Sequence, residues 1–302
     1  MNIDIKSNKR KNILYRFVRL FIPVIGIILI VFGLYFNWQI KKEKEIVSIK
    51  QKNEVRVLKS IIDEMLYDVV SDLIFLSNSN SVNNYFQTFQ NKKGDELIET
   101  FVNFSESKRI YDQIRLLDIK GMEILRVNAD NNGNADIIDE KQLQDKSDRY
   151  YIKSGLNLNK GQIYISPIDL NIENGRIQNP INQVIRFVAP VFSDSGEKKG
   201  VIVLNYKAQD ILNLVELFIK NNKDLNIMLL NNDGYWIKSD NIEKDFAFMY
   251  EDKKDISFKN EFKYLWNSIV SSKQGTIYNN DIIYYYNTIN PLHSFEKKES
   301  NY

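Results

Sequence analysis

The chain of 302 residues contains no cysteine and a single histidine, His293. The first absence excludes a disulfide framework and cysteine-based metal or redox chemistry, and says nothing of cellular compartment. The second leaves no histidine cluster for a metal, and a Ser-His-Asp triad within one chain is not expected. Net charge is equally scarce. Lys and Arg number 41 against 39 Asp and Glu, and no basic patch interleaved with aromatics is present, so nucleic acid is not an expected partner. With 5 Pro and 12 Gly the chain is neither collagen-like nor of low complexity. No phosphate-cradling glycine loop, Walker sequence or nucleophile elbow occurs. No catalytic residue, metal or cofactor is expected.

Charge is also absent from Leu20 to Ile40, where the core reads FIPVIGIILIVFGLYF. About 20 apolar residues at ~1.5 Å rise span the ~30 Å hydrocarbon layer. Pro23 lies near the start of this stretch, and Tyr35 and Trp38 suit the far interface. Lys6, Lys9, Arg10, Lys11, Arg16 and Arg19 precede it against the single acid Asp4. By the positive-inside rule, residues 1–19 are then cytoplasmic, 20–40 form one membrane span, and the bulk of the chain lies outside the cell (inner) membrane. A cleaved signal peptide would have a shorter apolar region ending in small residues, and none follow here.

Past the span the polarity changes abruptly to KKEKE, and a helical pattern begins. Val57/Leu58, Ile61/Ile62, Met65/Leu66, Val69/Val70 and Leu73/Ile74 recur every four residues, which makes one wide apolar face. Such a face fits packing on a sheet; a coiled-coil dimer seam is narrower. Residues 41–109 are expected to hold this long helix and a further helical segment. Strand patterns follow in IRLLDIKGMEILRVN, QVIRFVAPVF and GVIVLNY. The stretch RLLDIKGMEIL (115–125) aligns with MLLNNDGYWIK (228–238); each predicts a hairpin turning at Gly121 or Gly234. This duplication predicts two tandem α+β units with antiparallel sheets, 110–206 and 207–292. A helix carrying Ile211, Leu212, Val215, Phe218 and Ile219 connects them, and a polar tail, 293–302, follows. The second unit shows no clear final strand.

An anchor, a long outer helix and two successive PAS-like units resemble the double Cache sensory module. Such modules occur in bacterial histidine kinases, diguanylate cyclases and chemoreceptors. YDQIRLLDIKGMEILRVN, LQDKSDRYY, IYISPIDLNIENGRI, VIRFVAPVF and NNDGYWIKSD are similar to stretches of the sensor domains of membrane histidine kinases. The resemblance covers roughly residues 45–292. It implies an extracytoplasmic sensing input module that binds a small-molecule ligand (amino acid, organic acid or amine) in the 110–206 unit, in a homodimer formed through the long helix. The family pattern continues into a final strand, a second membrane helix and a signalling domain. Their lack here leaves two other readings, a non-signalling remnant and a sensor of a periplasmic protein partner.

Several polar residues stand inside the strand patterns of the first unit. Arg186 shares a strand face with Val184 and Val188, and apolar residues occupy the other face too, so burial is expected. A buried guanidinium needs a carboxylate, whether from a ligand or from Asp169 or Glu173. Asp169 and Asn171 sit in SPIDLN; the resemblance implies that an acid near this place takes a ligand ammonium, and a turn-forming aspartate is the alternative. Arg149, Tyr150 and Tyr151 resemble the basic-aromatic cluster lining such pockets, with a helix surface and core tyrosine as the alternative. Arg126, beside Ile124 and Asn128, and Asn205, beside Val201 and Val203, are polar groups on apolar strand faces that fit the same pocket. Trp236 and Trp266 are expected in the core of the second unit, and Tyr284–Tyr286 in a half-buried strand.

Overall fold

The structure, a computed structural model, describes residues 3–87, 92–130, 132–173, 175–279 and 282–292. His293 and the polar tail lie outside the described residues. Helix α1 runs unbroken from Ile3 to Ser77, 75 residues with Pro23 inside it. At 1.5 Å per residue it is roughly 110 Å long. The span and the outer helix expected from the sequence are thus one rod. It is the one helix among the described residues that is long and apolar enough to cross a membrane. The apolar stretch is exposed among the described residues, with Leu20 74% and Leu34 66% exposed.

The paired stripe of α1 divides between two directions. Leu58, Ile62, Leu66, Val69, Val70, Leu73 and Leu76 are buried in the main core, whereas Val57, Ile61, Ile74 and Phe75 face outward. Each buried aliphatic contributes about 1.5–3 kcal/mol, so this face fixes the helix against the sheet. Helices α2 (Asn80–Gln87) and α3 (Lys92–Lys108) fold back over the end of the rod. Leu97 and Phe101 of α3 enter the same core.

The chain then builds a sheet. Its strands are β1 (Tyr111–Asp118), β2 (Glu123–Ala129), β3 (Ala135–Ile137), β4 (Tyr164–Ile165), β5 (Asp169–Leu170), β8 (Gln183–Phe192) and β9 (Lys198–Lys207), with the small hairpin β6 (Ile172–Glu173) and β7 (Arg176–Ile177) between the last two pairs. The order is β3-β2-β1-β9-β8-β4, with β5 also on β8, and all pairings are antiparallel. Ile114, Leu116, Phe187, Ile202 and Leu204 face α1. The opposite face carries Leu117, Val188, Val201 and Val203 and is covered by α4 (Tyr150–Leu156). Gly155 makes that cover close: a Cβ there would stand 2.4 Å from Val188 Cγ1.

Helix α5 (Gln209–Asn221) leads to β10 (Leu229–Leu230), β11 (Trp236–Lys238), α6 (Phe258–Glu261), α7 (Lys263–Val270), β12 (Gln274–Asn279) and β13 (Ile282–Asn287). These four strands form two separate hairpins, β10-β11 and β12-β13. Trp236 and Trp266 are core residues here, and Tyr284–Tyr286 are half-buried, both as expected. The two aligned hairpins turn by the same device. Asp118 Oδ1 accepts from the N–H of Lys120 and Met122, and Asn231 Oδ1 accepts from the N–H of Asp233 and Tyr235. Gly121 (φ 87°) and Gly234 (φ 84°) supply the left-handed residue in each. Along α1, the second group of elements meets residues near Lys50 and Gln51, through Asp224 and Ile283. The large sheet meets α1 further on, where Asp72 accepts from Tyr111 Oη at 2.6 Å. The second group therefore lies nearer the apolar stretch.

Candidate functional site

The outer face of the large sheet holds a layer of charge under α4. Strand alternation puts Gln113 and Arg115 of β1, Asn205 of β9 and Arg186 of β8 side by side: Asn205 lies opposite both Gln113 and Arg186. On β2 the register slips, with Leu116 opposite Leu125 but Leu117 opposite Glu123, so Ile124 is the extra residue. That bulge brings Glu123 onto the same face as Arg126, three residues away, where strict alternation would separate them.

All eight residues singled out from the sequence meet in or beside this layer. Arg186 Nη1 is 2.5 Å from Asp169 Oδ1, and its Nη2 donates to Asn171 Oδ1 at 3.0 Å. Tyr150 Oη donates to the other Asp169 oxygen at 2.6 Å. The Arg186 guanidinium also lies 4.7 Å over the Tyr151 ring. Asn205 accepts from Arg115 Nη2 at 2.6 Å and donates to Gln113 Oε1 at 3.2 Å. Arg126 Nη1 donates to Glu123 Oε2 at 3.2 Å. Arg149 reaches the carbonyl of Ile172 at 2.8 Å, which ties the start of α4 to β6. For Arg186 the partner within the chain is Asp169; the side chain of Glu173 is outside what the structure describes.

Four members of the layer were not foreseen, among them Gln113, which accepts from Asn205. Arg115, 2% exposed, donates to the Tyr151 hydroxyl at 3.3 Å and lies 3.6 Å from Glu123 Oε1. Glu123, 2% exposed, bridges Arg115 and Arg126 and accepts from the N–H of Gln144. Lys146 is buried and bonds Gln144 Oε1 at 2.6 Å. A signal existed for Arg115, an arginine in the apolar run IRLL. For Glu123 it was hidden by the bulge, and for Lys146 by a loop without periodicity.

The layer is electrostatically lopsided. Among the described residues, the guanidiniums of Arg115, Arg126 and Arg186 are buried there, and the buried carboxylates beside them are Glu123 and Asp169. The Nε atoms of Arg115, Arg126 and Arg186 are buried without a hydrogen-bond partner among the described residues. The tyrosines register the field. Burial pushes the Tyr151 phenol up, but the Arg115 and Arg186 guanidiniums outweigh it and hold the group below the ordinary tyrosine range. Tyr150 moves the other way, raised by burial and then by Asp169. In a spectrophotometric titration Tyr151 should therefore ionise before Tyr111, Tyr150 and Tyr206, whose phenols burial pushes up. Tyr151→Phe should delete this early step and Arg115→Met should move it upward; an early step that survives Tyr151→Phe would refute the assignment.

A cavity of about 650 Å³ lies elsewhere, between α1, β10 and β13. It is lined by Leu58, Ile62, Leu229, Trp266, Ile283 and Ile289 among others, and none of the charged layer borders it. Its walls are mainly apolar, and it offers no converging set of ionisable groups. For recognition of a small polar molecule the charged layer is the better-equipped place, because specificity needs placed polar groups.

Residues 59–299 match the family model described as the bacterial histidine kinase sensor domain. Comparison with curated proteins gives no match. Among solved structures, a domain of a putative sensory box/GGDEF family protein from Vibrio parahaemolyticus superposes with a TM-score of 0.64. It is 24% identical, over 80% of this chain and 92% of that one. The extracellular domain of the putative histidine kinase vpHK1S-Z8 gives 0.57 at 23% identity, over 76% and 85% of the two chains. The ligand-binding domain of the Campylobacter jejuni chemoreceptor Tlp3, in complex with L-valine, gives 0.54 at 14% identity, over 79% and 86%. These likenesses establish the fold, a long apolar N-terminal helix carrying α+β sheet units. On the family match over most of its length, this chain belongs to the bacterial histidine kinase sensor-domain family.

Proposed function

We propose that this chain is the extracytoplasmic input module of a membrane signalling receptor, anchored in the cell membrane by one pass through residues 20–40, and that its 110–206 unit binds a small ligand bearing a carboxylate. The observation that carries the ligand class is the charge excess under α4: among the described residues, three buried guanidiniums, Arg115, Arg126 and Arg186, share two buried carboxylates, Glu123 and Asp169. Unpaired charge in a desolvated layer costs several kcal/mol, and an anion would offset it. Arginine's planar fork suits a carboxylate, and the Tyr151 ring supplies an apolar wall. Amino acids and organic acids fit this chemistry; simple amines do not. The Tlp3 domain has been crystallised with L-valine and with isoleucine, in keeping with this class.

In this reading the 207–292 unit, packed nearer the apolar stretch, relays the change along α1. Ligand favours one arrangement of α4 over the charged layer, and the shift is limited by its differential affinity for the two arrangements. The outward stripe of Val57, Ile61, Ile74 and Phe75 suits pairing of two copies through α1.

The test is thermal unfolding of the full chain in detergent against amino acids, organic acids and amines. A ligand in hundredfold excess over Kd adds ~2.7 kcal/mol to stability. Melting should rise by several degrees, at about 2–4 °C per kcal/mol. The rise should be confined to acids and lost in Arg126→Met and Arg149→Ala chains that still melt cooperatively. A rise with amines alone would sink the charge argument. A cooperative melt that no small molecule moves would point to a protein partner instead.

A further inference from the structure

Strand β5 is two residues long, and its two side chains serve different neighbourhoods. It lies on β8, with Asp169 opposite Val184 and Leu170 opposite Gln183. Alternation sends Asp169 to the face that Val184 shares with Arg186, and Leu170 to the other face. Asp169 is held by Arg186 and by the Tyr150 hydroxyl, and just beyond it Arg149 holds the carbonyl of Ile172. Arg149 and Tyr150 stand at the start of α4. The helix that covers the charged layer and the β5–β6 segment are therefore fastened together.

Leu170, 1% exposed, packs in a cluster of its own with Leu212 of α5, Ile237 of β11 and Phe246. Ile168 and Ile177 of the first unit pack against the same cluster, as do Phe248, Met249 and Tyr250 of the second. It is an apolar joint between the two units. Phe246 is held there in left-handed backbone (φ 56°, ψ 24°), and its N–H donates to the Trp236 carbonyl at 2.8 Å. A bulky residue rarely takes that conformation, and it persists only where the surroundings impose it. Helix α5 carries the joint to the rod. Leu212 near its start is in the cluster; at its far end Asn222 donates to Glu54 at 3.2 Å and Asp224 pairs with Lys50 at 2.7 Å.

We propose that β5 is the link through which the charged layer controls the second unit: when Asp169 releases Arg186, Leu170 leaves the joint, and the 236–249 segment and α5 loosen against α1. The inference deepens the carboxylate reading and rests on it only for the trigger, an anion competing with Asp169 for the Arg186 guanidinium. Two ladder positions hold β5, so its release leaves the long pairing of β8 with β9 intact. One short strand with an attached and a released arrangement is the two-state element that coupling between distant sites requires.

The experiment needs no ligand. Hydrogen exchange is followed by mass spectrometry on the full chain in detergent, for wild type and for Asp169→Asn, which keeps the shape and removes the charge that holds Arg186. Asp169→Asn should speed exchange in 236–249 by about tenfold or more beyond any change in 111–118. Arg126→Met, which disturbs the layer away from β5, should show no such excess. Leu170→Ala should speed 236–249 by itself, and Asp169→Asn added to it should contribute nothing further there, because the link is already cut. If Asp169→Asn does not melt cooperatively, Tyr150→Phe, which removes one hydrogen bond from Asp169, is read in the same way, with Leu170→Val in place of Leu170→Ala. No excess in 236–249, an equal excess from Arg126→Met, or a full further acceleration in the double variant overturns the proposal. An acid that raises the melting temperature without moving exchange in 236–249 also overturns it, and leaves the ligand reading standing. The excess found in a chain that no acid stabilises would uphold the link and refute the ligand reading alone.

Discussion

Glu123→Leu should destabilise the chain by about 3–5 kcal/mol, the usual cost of removing one partner from a buried ion pair. Glu123 is 2% exposed and stands between Arg115 and Arg126, which are 2% and 7% exposed. Without it the guanidiniums of Arg115 and Arg126 remain together, and among the described residues neither has another ion-pair partner. The carboxylate also accepts from the N–H of Gln144, so the loop before α4 loses an anchor. Glu123→Gln keeps that anchor and the shape but not the charge, and should fall between wild type and Glu123→Leu. Adding Arg115→Met to Glu123→Leu should recover part of the loss, since the pair is then replaced by apolar groups of similar volume. Urea midpoints read all four chains; equal midpoints for wild type and Glu123→Leu would mean that the layer is wetter than its burial indicates.

That layer also shows where sequence reading succeeds and where it stops. The long apolar stretch, the outer helix and the twin hairpins were legible because each rests on a local signal: an uncharged run, a four-residue period, a glycine at a turn. Arg186, Asn205 and Arg126 were legible because alternation exposes a polar residue on an apolar face. Glu123 was not, because one extra residue at Ile124 reverses the alternation after it and nothing local announces a bulge. The division of the α1 stripe into an inner and an outer row was equally hidden, since both rows are aliphatic and only the position of the sheet decides between them. The cavity between β10 and β13 was hidden as well, since it arises where two local hairpins come to lie against α1 and no local pattern marks their spacing.

Arg186→Ala should cost about 3–5 kcal/mol as well, by the opposite electrostatics. Here the orphan is a carboxylate. Asp169 Oδ1 loses the guanidinium 2.5 Å away, and its side chain, 11% exposed, is left with the Tyr150 hydroxyl on the other oxygen. Asn171 loses a donor, and Tyr151 loses the cation stacked on its ring. Asp169→Ala made alone leaves Arg186 uncompensated and should cost a similar amount, but the two together should cost less than the sum, because the second change removes the charge that the first orphaned. The double-mutant cycle separates this account from a packing defect: strictly additive single changes would show that Arg186 and Asp169 are neighbours without being partners.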